Sequence, residues 1–169
     1  MRFYTVTSEY VKFLQQFDSK VPNNGGLNYK SSKVYIGILL EISNHKFLAP
    51  LSSYKPQQDS IDSSSPTAFK LHERLNPDNK LGMIALNYMI PVLDSEIAEL
   101  DIEAQNDKYK RMLNKQYEFI KAHRTEIMER AAKLYAHIVV KRTSFFVRIS
   151  CDIPKLVDEY KNFKRPTAN

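Results

Sequence analysis

Between Arg2 and Phe17 the apolar positions change period. Arg2 to Val6 (RFYTV) has the short β-rich character of a strand. Thr7 or Ser8 can then cap a helix whose apolar face is Tyr10, Phe13, Leu14 and Phe17, the i, i+3, i+4, i+7 spacing of an amphipathic helix. Val21-Pro22-Asn23-Asn24-Gly25-Gly26 ends that helix and opens a loop carrying Tyr29, Lys30, Ser31, Ser32 and Lys33. Val34 to Ile42 (VYIGILLEI) is a continuous apolar run, the signature of a buried central strand. Ser43-Asn44 predicts a tight turn, with HKFLAPL returning as the hairpin partner. Tyr54 to Pro66 is polar and rich in Ser, Gln, Asp and Pro. It reads as a long exposed loop, and loops of that length in compact domains are often functional. Further β-like segments span Thr67 to Leu71 and Leu81 to Leu86, separated by the turn-rich NPDNK, and Tyr88 to Leu93 reads as a last strand.

From about Ser95 the pattern becomes helical. Tyr109, Met112, Leu113, Gln116, Phe119 and Ile120 share one face, and a second helix from Thr125 turns Ile127, Ala131, Leu134, Tyr135 and Ile138 inward. Thr143 to Ser150 (TSFFVRIS) reads as extended. Asp152 with Pro154 starts a terminal helix through Tyr160 and Phe163. Strands first and helices later predict an α+β fold built on a small, mainly antiparallel sheet.

The 169 residues fit a single domain, 1–169, with a sizeable core. Cys151 is the single cysteine and cannot form an internal disulfide, and no Cys/His cluster has zinc spacing, so neither a metal nor another cofactor is expected. The N-terminal MRFYTVTSEYVKF has no apolar core of a signal peptide, and no run approaches the ~20 apolar residues of a membrane span. A cytoplasmic protein is expected. Net charge is +6, from 25 Lys and Arg against 19 Asp and Glu, which suits a polyanionic partner without proving one. Ten tyrosines and nine phenylalanines accompany it; among lysines, tyrosines can stack on bases or bond phosphate oxygens, though half-buried packing accounts for most of them.

Most familiar catalytic signatures are absent: no glycine-rich phosphate loop, no GxSxG elbow, no HExxH. His45, His72, His123 and His137 are scattered, and a paired-histidine nuclease requires the fold to bring two together. Two loops rich in hydroxyls and amines remain, Tyr29–Lys33 before the long strand and Ser52–Lys55 after its partner. In an antiparallel hairpin these lie at one edge, so Lys33 and Lys55 should be neighbours. Two ammoniums, two serine hydroxyls and a tyrosine at one rim suit a scissile phosphate. RNA cleavage by the ribose 2′-OH needs a base, an acid for the 5′-oxygen and donors for the nonbridging oxygens. An ordinary turn with solvated lysines is the competing reading of the same residues.

RFYTVTSEYVKFLQQFD, VYIGILLEI with HKFLAPLSSYK, FKLHE, LGMIALNYMIPV and YKRMLNKQYEFI, in this order from Arg2 to about Leu134, resemble the ToxN/AbiQ family. These are the endoribonuclease toxins of type III toxin–antitoxin and phage abortive-infection systems. The resemblance implies a compact SH3-like barrel, similar to the MazF and Kid toxins, with additional helices mainly in the C-terminal half. It implies a metal-independent endoribonuclease that cuts single-stranded, often adenine-rich RNA and leaves a 2′,3′-cyclic phosphate. The implied partners are RNAs: cellular or phage transcripts, and a tandem-repeat antitoxin that the toxin cuts into single pseudoknots, which then inhibit it. Each antitoxin RNA bridges neighbouring toxin copies into a ring, with no membrane involved. By the same resemblance the family's Thr-Ser-x-Lys stands here as Ser52-Ser53-Tyr54-Lys55, and Tyr29, Lys33 and Tyr10 match its other site positions. Ser53 is expected at the scissile phosphate or the 2′-OH, Lys55 and Lys33 against phosphate charge, and Tyr29 at a base or the phosphate; the general base is unassigned. Lys30 and Tyr54 in the same two loops, with Tyr10 on the first helix, are expected to bind RNA. Lys110, Arg111 and Lys115 are candidates for RNA backbone contacts or a solvated helix face. The competing functions are a non-catalytic RNA-binding module and a protein-interaction toxin resembling a gyrase poison.

Overall fold

The computed structural model describes residues 1–23 and 35–167. Seven strands, β1 (Phe3–Val6), β2 (Ile36–Ile42), β3 (His45–Ser52), β4 (Phe69–Glu73), β5 (Asn76–Ile84), β6 (Ile90–Pro91) and β7 (Ile97–Glu99), form one antiparallel sheet. Its order is β4-β5-β3-β2-β1-β7, with β6 paired to β3. The helices are α1 (Ser8–Gln15), α2 (Asp107–Ala122), α3 (Arg124–Tyr135), α4 (Ser144–Ile149) and α5 (Ile153–Glu159). The α+β expectation holds. The strand ladder, however, is open, with β4 and β7 at its two ends, so the expected closed barrel is not what the hydrogen bonding describes.

The β2–β3 hairpin is the spine. Ser43 and Asn44 both have positive φ, 50° and 63°, the requirement of a two-residue turn whose twist matches the strands. That turn fixes the register from Ile42↔His45 to Gly37↔Pro50. Phe47, Leu48 and Ala49 are all fully buried because both faces are covered. Phe47 and Ala49 join Ile38 and Leu40 in a core with Leu113, Phe119 and Ile120 of α2 and Ile127, Ala131 and Leu134 of α3. Leu48 points the other way, into a second core with Tyr10 and Leu14 of α1, Ile90, and Leu156 of α5.

Tyr10 is corrected by this packing. It lies in the second core with no exposed surface, its hydroxyl donating to the Pro91 carbonyl at 2.5 Å and its ring set edge-on to Phe163. Burial pushes its phenol far above the ordinary tyrosine range. Such a group seats α1 and offers no surface to RNA.

Two local expectations also change. NPDNK lies within β5, not in a turn; the hairpin turns one step earlier, between Glu73 and Asn76. Here β5 pairs only with β4, because β3 reaches it only at Ile84 and Met83, so Pro77 sits where no second ladder needs its missing N–H. TSFFVRIS is helical in α4, not extended, and it follows a π-helical turn, Ala136–Val140. The expected strand over Tyr88 to Leu93 shrinks to the two residues of β6.

Candidate functional site: the rim at the end of β3

Strand β3 ends at Ser52, and the chain turns through Ser53, Tyr54 and Lys55 into a 3-10 turn, Pro56–Ser60. Ser53 and Lys55 are exposed, Ser52 and Tyr54 half-buried. Beneath them lies Gln58, only 6% exposed, a residue the sequence did not single out. Its Nε2 donates to Ser52 Oγ at 3.1 Å and to the Ser53 carbonyl at 2.9 Å. Ser52 Oγ in turn donates to the Ser53 carbonyl at 3.2 Å. The Ser53 carbonyl can only accept, so the amide must present its nitrogen on this side. The 3-10 turn, closed by Gln58 N–H to the Lys55 carbonyl, brings the amide back under the serines. One primary amide therefore sets the direction of Ser52 and the backbone of Ser53.

Replacing Gln58 by Ala leaves the Ser53 carbonyl without its buried donor. We expect a stability loss of about 1–3 kcal/mol. Cleavage of RNA at a temperature where the variant is fully folded should fall as well, whereas a merely structural Gln58 would leave that folded-state rate intact.

Across the sheet Ser52 pairs with Met83, and the neighbouring Gly82 has φ +126°. A Cβ at Gly82 would lie 1.9 Å from the Ser52 carbonyl oxygen and 3.1 Å from the Ser53 carbonyl carbon. The close approach that fixes the serines thus requires a glycine here.

Tyr54 and Lys80 are tied to one carboxylate. Tyr54 Oη donates to Asp59 at 2.7 Å, Lys80 Nζ pairs with its other oxygen at 2.9 Å, and the Lys80 ammonium lies 5.3 Å from the centre of the Tyr54 ring. The Lys80 ammonium, then the Tyr54 hydroxyl, hold the Asp59 carboxyl below its ordinary range. A depressed folded-state pKa contributes stability above the ordinary carboxylate range and loses it only as pH falls through the lower folded value, so the loop is tied throughout neutral pH. A carbon-detected NMR titration of Asp59 should give a midpoint below that of an ordinary aspartate, moving up in Lys80→Ala. Among the described residues Lys55 has no partner, which leaves its ammonium for a ligand. Arg130 anchors the far end of the loop, donating to the carbonyls of Ser63 and Ala68 at 2.8 and 3.1 Å.

Tyr29, Lys30 and Lys33 lie outside the described residues, so the expected Lys33–Lys55 pairing stays an expectation. Lys115 is ion-paired to Glu73, which lies three residues along β4 from Lys70, and Lys70 and Ser52 both pair with Met83 of β5. Lys110 is ion-paired to Glu103. Arg111 is exposed on the same helix. Lys110 and Lys115 of α2 are thus held by carboxylates, and Gln116 beside them ties α2 to the Leu81 carbonyl of β5. A second concavity of about 480 Å³, bordered by Arg2, Glu99, Asp101, Glu103, Asn114 and Tyr117, is acidic on balance and unsuited to a polyanion.

The histidines serve the fold. His45 shares a hydrogen bond with Tyr160 at 3.0 Å, His137 one with Thr143 at 3.0 Å, and His123 Nδ1 meets the Phe119 carbonyl at the end of α2. His72 packs against Phe119, with Nδ1 at the Glu73 carbonyl. None of these contacts joins one histidine to another.

The sequence from residue 2 to 161 matches the family of the toxin ToxN of type III toxin–antitoxin systems, extending past the Leu134 limit of the sequence resemblance. It is 40% identical over 164 residues to the endoribonuclease ToxN of Pectobacterium atrosepticum, covering 96% of this chain and 94% of that one. A solved structure described as part of a bacterial antiviral system regulated by a processed non-coding RNA superposes with a TM-score of 0.87 at 39% identity, covering 98% of this chain and all of that one. Another, from work on selective toxin inhibition by a non-coding RNA pseudoknot, gives 0.80 at 29% identity, with 98% of each chain covered. A match along nearly the whole chain means that this chain belongs to the ToxN family of type III toxin–antitoxin toxins.

Proposed function

We propose that the chain is an endoribonuclease toxin that cleaves single-stranded RNA without a metal at the Ser52–Lys55 rim. The observation that carries this is the Gln58-braced pair of serines beside Lys55, which has no partner among the described residues. The groups facing solvent there are hydroxyls and an ammonium, which bind phosphate oxygens and are poor ligands for divalent cations. The nearby carboxylate of Asp59 is already occupied by Lys80 and Tyr54.

In the step these groups fit, the ribose 2′-oxygen bonds to the adjacent phosphorus and gives up its proton. The bond from phosphorus to the 5′-oxygen breaks, and that oxygen takes up a proton. The products are a 2′,3′-cyclic phosphate and a 5′-hydroxyl. Charge grows on the nonbridging oxygens, where Ser53 Oγ and Lys55 Nζ donate, with Lys33 and Tyr29 the further groups expected there.

By analogy with the relative regulated by a processed non-coding RNA and the one inhibited by an RNA pseudoknot, the partner is a repeat RNA. The toxin cuts this RNA into single units, and each unit occupies and blocks the rim. The reading further includes RNA-bridged rings of toxin copies, a role in phage defence and residence in the cytoplasm, consistent with the lack, among the described residues, of a helix long and apolar enough to cross a membrane. It also takes the sheet as a bent relative of the SH3-like barrel of MazF and Kid. Support comes from the way β3 splits one edge between β6 at Phe47–Leu48 and β5 at Leu51–Ser52.

The test is purified protein in EDTA with an adenine-rich single-stranded RNA and analysis of the product ends. Cleavage with cyclic-phosphate ends is expected. Intact RNA that is nonetheless bound would replace this reading with a non-catalytic RNA-binding module. Intact and unbound RNA would point to a protein-directed toxin.

A further inference from the structure

The basic excess of the chain is not spread evenly. Residues 130–151 hold five Lys and Arg and no Asp or Glu, leaving 20 basic against 19 acidic residues for all the rest. Arg130 is committed to carbonyls of the 54–66 loop, but Lys133, Lys141, Arg142 and Arg148 are exposed. Between these cations two apolar side chains stand in solvent, Val140 at 73% and Phe145 at 52% exposure. The guanidinium of Arg148 lies 5.7 Å from the centre of the Phe145 ring.

The backbone at the same place is irregular. The π-helical turn Ala136–Val140 ends in Lys141 N–H to the Ala136 carbonyl and Thr143 N–H to the His137 carbonyl. Between them Arg142 has φ +52°, a conformation glycine adopts freely and arginine does not. π turns and left-handed non-glycine residues both concentrate at functional sites. One amino group of the Arg142 guanidinium, Nη1, donates to the Ile138 carbonyl at 3.1 Å and holds the exposed side chain against the π turn.

The chain just after α4 is tied to the segment that follows β5. Asn87 Nδ2 donates to the Ile149 carbonyl at 2.8 Å, and the Asn87 carbonyl accepts from Cys151 N–H at 2.9 Å. Asn87 lies three residues beyond Ile84, the sheet partner of Leu51 next to Ser52. The half-exposed Tyr88 lies between the two places in sequence.

We propose that the π turn–α4 elbow, Val140 to Arg148, is a second RNA-contact surface outside the scissile site: Phe145 stacks on an unpaired base while Lys141, Arg142 and Arg148 hold the flanking phosphates. A face that is aromatic, basic and free of carboxylates fits single-stranded RNA, whose bases all offer a stacking face whatever the sequence. A protein partner of neutral charge would leave four exposed cations without complement. The assignment rests on the RNA reading of the rim and extends it to the strand leaving that rim.

The experiment compares fluorescein-labelled oligoadenylates of 20 and 6 nucleotides by anisotropy over a range of salt, in the Ser53→Ala background. Lys141→Ala, Arg142→Gly and Phe145→Ala together should lower the 20-mer affinity at least about tenfold and reduce the ratio of 20-mer to 6-mer affinity. Loss of two phosphate contacts should flatten the slope of log K against log salt by about 1.4. Arg142→Gly alone, which suits the backbone and gives up one bond to the Ile138 carbonyl, should flatten it by about 0.7, with a melting curve showing the variant folded. Unchanged 20-mer binding and slope in these variants would overturn the second surface while leaving cleavage at the rim standing; if they instead dissociate an oligomer in sedimentation, the elbow is a protein face. A wild-type protein that neither binds nor cleaves either RNA would fail the rim reading itself and this extension with it.

Discussion

Ser53→Ala should slow RNA cleavage by about two to three orders of magnitude while leaving thermal stability within about 0.5 kcal/mol of the parent. The two halves of that expectation come from different observations. Ser53 is exposed, and among the described residues its hydroxyl has no hydrogen-bond partner, so its removal opens no cavity and orphans no donor. Its backbone is held independently, through its carbonyl, by Gln58 and Ser52. What the variant loses is a donor aimed outward, and a donor to a developing oxyanion contributes about 2.7–4 kcal/mol to the transition state. Single-turnover cleavage beside a melting curve measures both. A variant that cleaves like the parent would remove Ser53 from the chemistry, and a variant that melts early would mean that it braces the loop.

Gly82→Ala should do the reverse, damaging the site through the fold. The new Cβ would fall 1.9 Å from the Ser52 carbonyl oxygen, a backbone atom that cannot rotate away. Its φ of +126° is outside the range an alanine accepts. Overpacking and backbone strain together suggest a loss of about 3 kcal/mol or more, relieved only by separating β5 from β3 at Met83–Ser52. That separation displaces both serines, so activity should fall with stability. The expected signature in denaturant is a lower unfolding midpoint accompanied by loss of cleavage, even under conditions where the variant remains folded. Parent-like stability would mean that the strands approach one another less closely than described.

The sequence was most legible where a local rule and the fold agree. The Ser43–Asn44 turn sets its hairpin by backbone preference alone, and the apolar spacing of α2 and α3 survives into the core. It was least legible where tertiary position overrides local preference. NPDNK carries turn residues yet extends β5, because that stretch needs only one neighbouring strand. TSFFVRIS has the β-branched and aromatic content of a strand, but Thr143 is drawn back to the π turn and the segment satisfies its backbone as one and a half turns of helix. In the site, SSYK stood out because hydroxyls and an amine crowd one short stretch. Gln58 gave no signal, since a glutamine in a polar loop looks solvated until the 3-10 turn buries it. Tyr10 shows the opposite failure: a residue matched to a family's functional position proves here to be a core contact whose effect on the rim can only be indirect.

The second core gathers residues from the extremes of the sequence. Phe163 meets Tyr10 and Phe13, Lys20 Nζ reaches the Ser150 carbonyl at 2.8 Å, and Asp152 N–H donates to Asp18 at 2.6 Å. Arg165 crosses to Glu96, whose side chain is 1% exposed. During synthesis, at about 5–20 residues per second, the two hairpins that build the serine rim can pair early, and α1 can meet Leu48, Ile90 and Pro91, while the rest of its core waits for α5 and the segment after it. The nascent chain therefore passes through a stage with its rim outlined and its support unfinished, and the time between translation of Tyr10 and of Phe163 sets a lower bound on how soon a newly made molecule can become harmful.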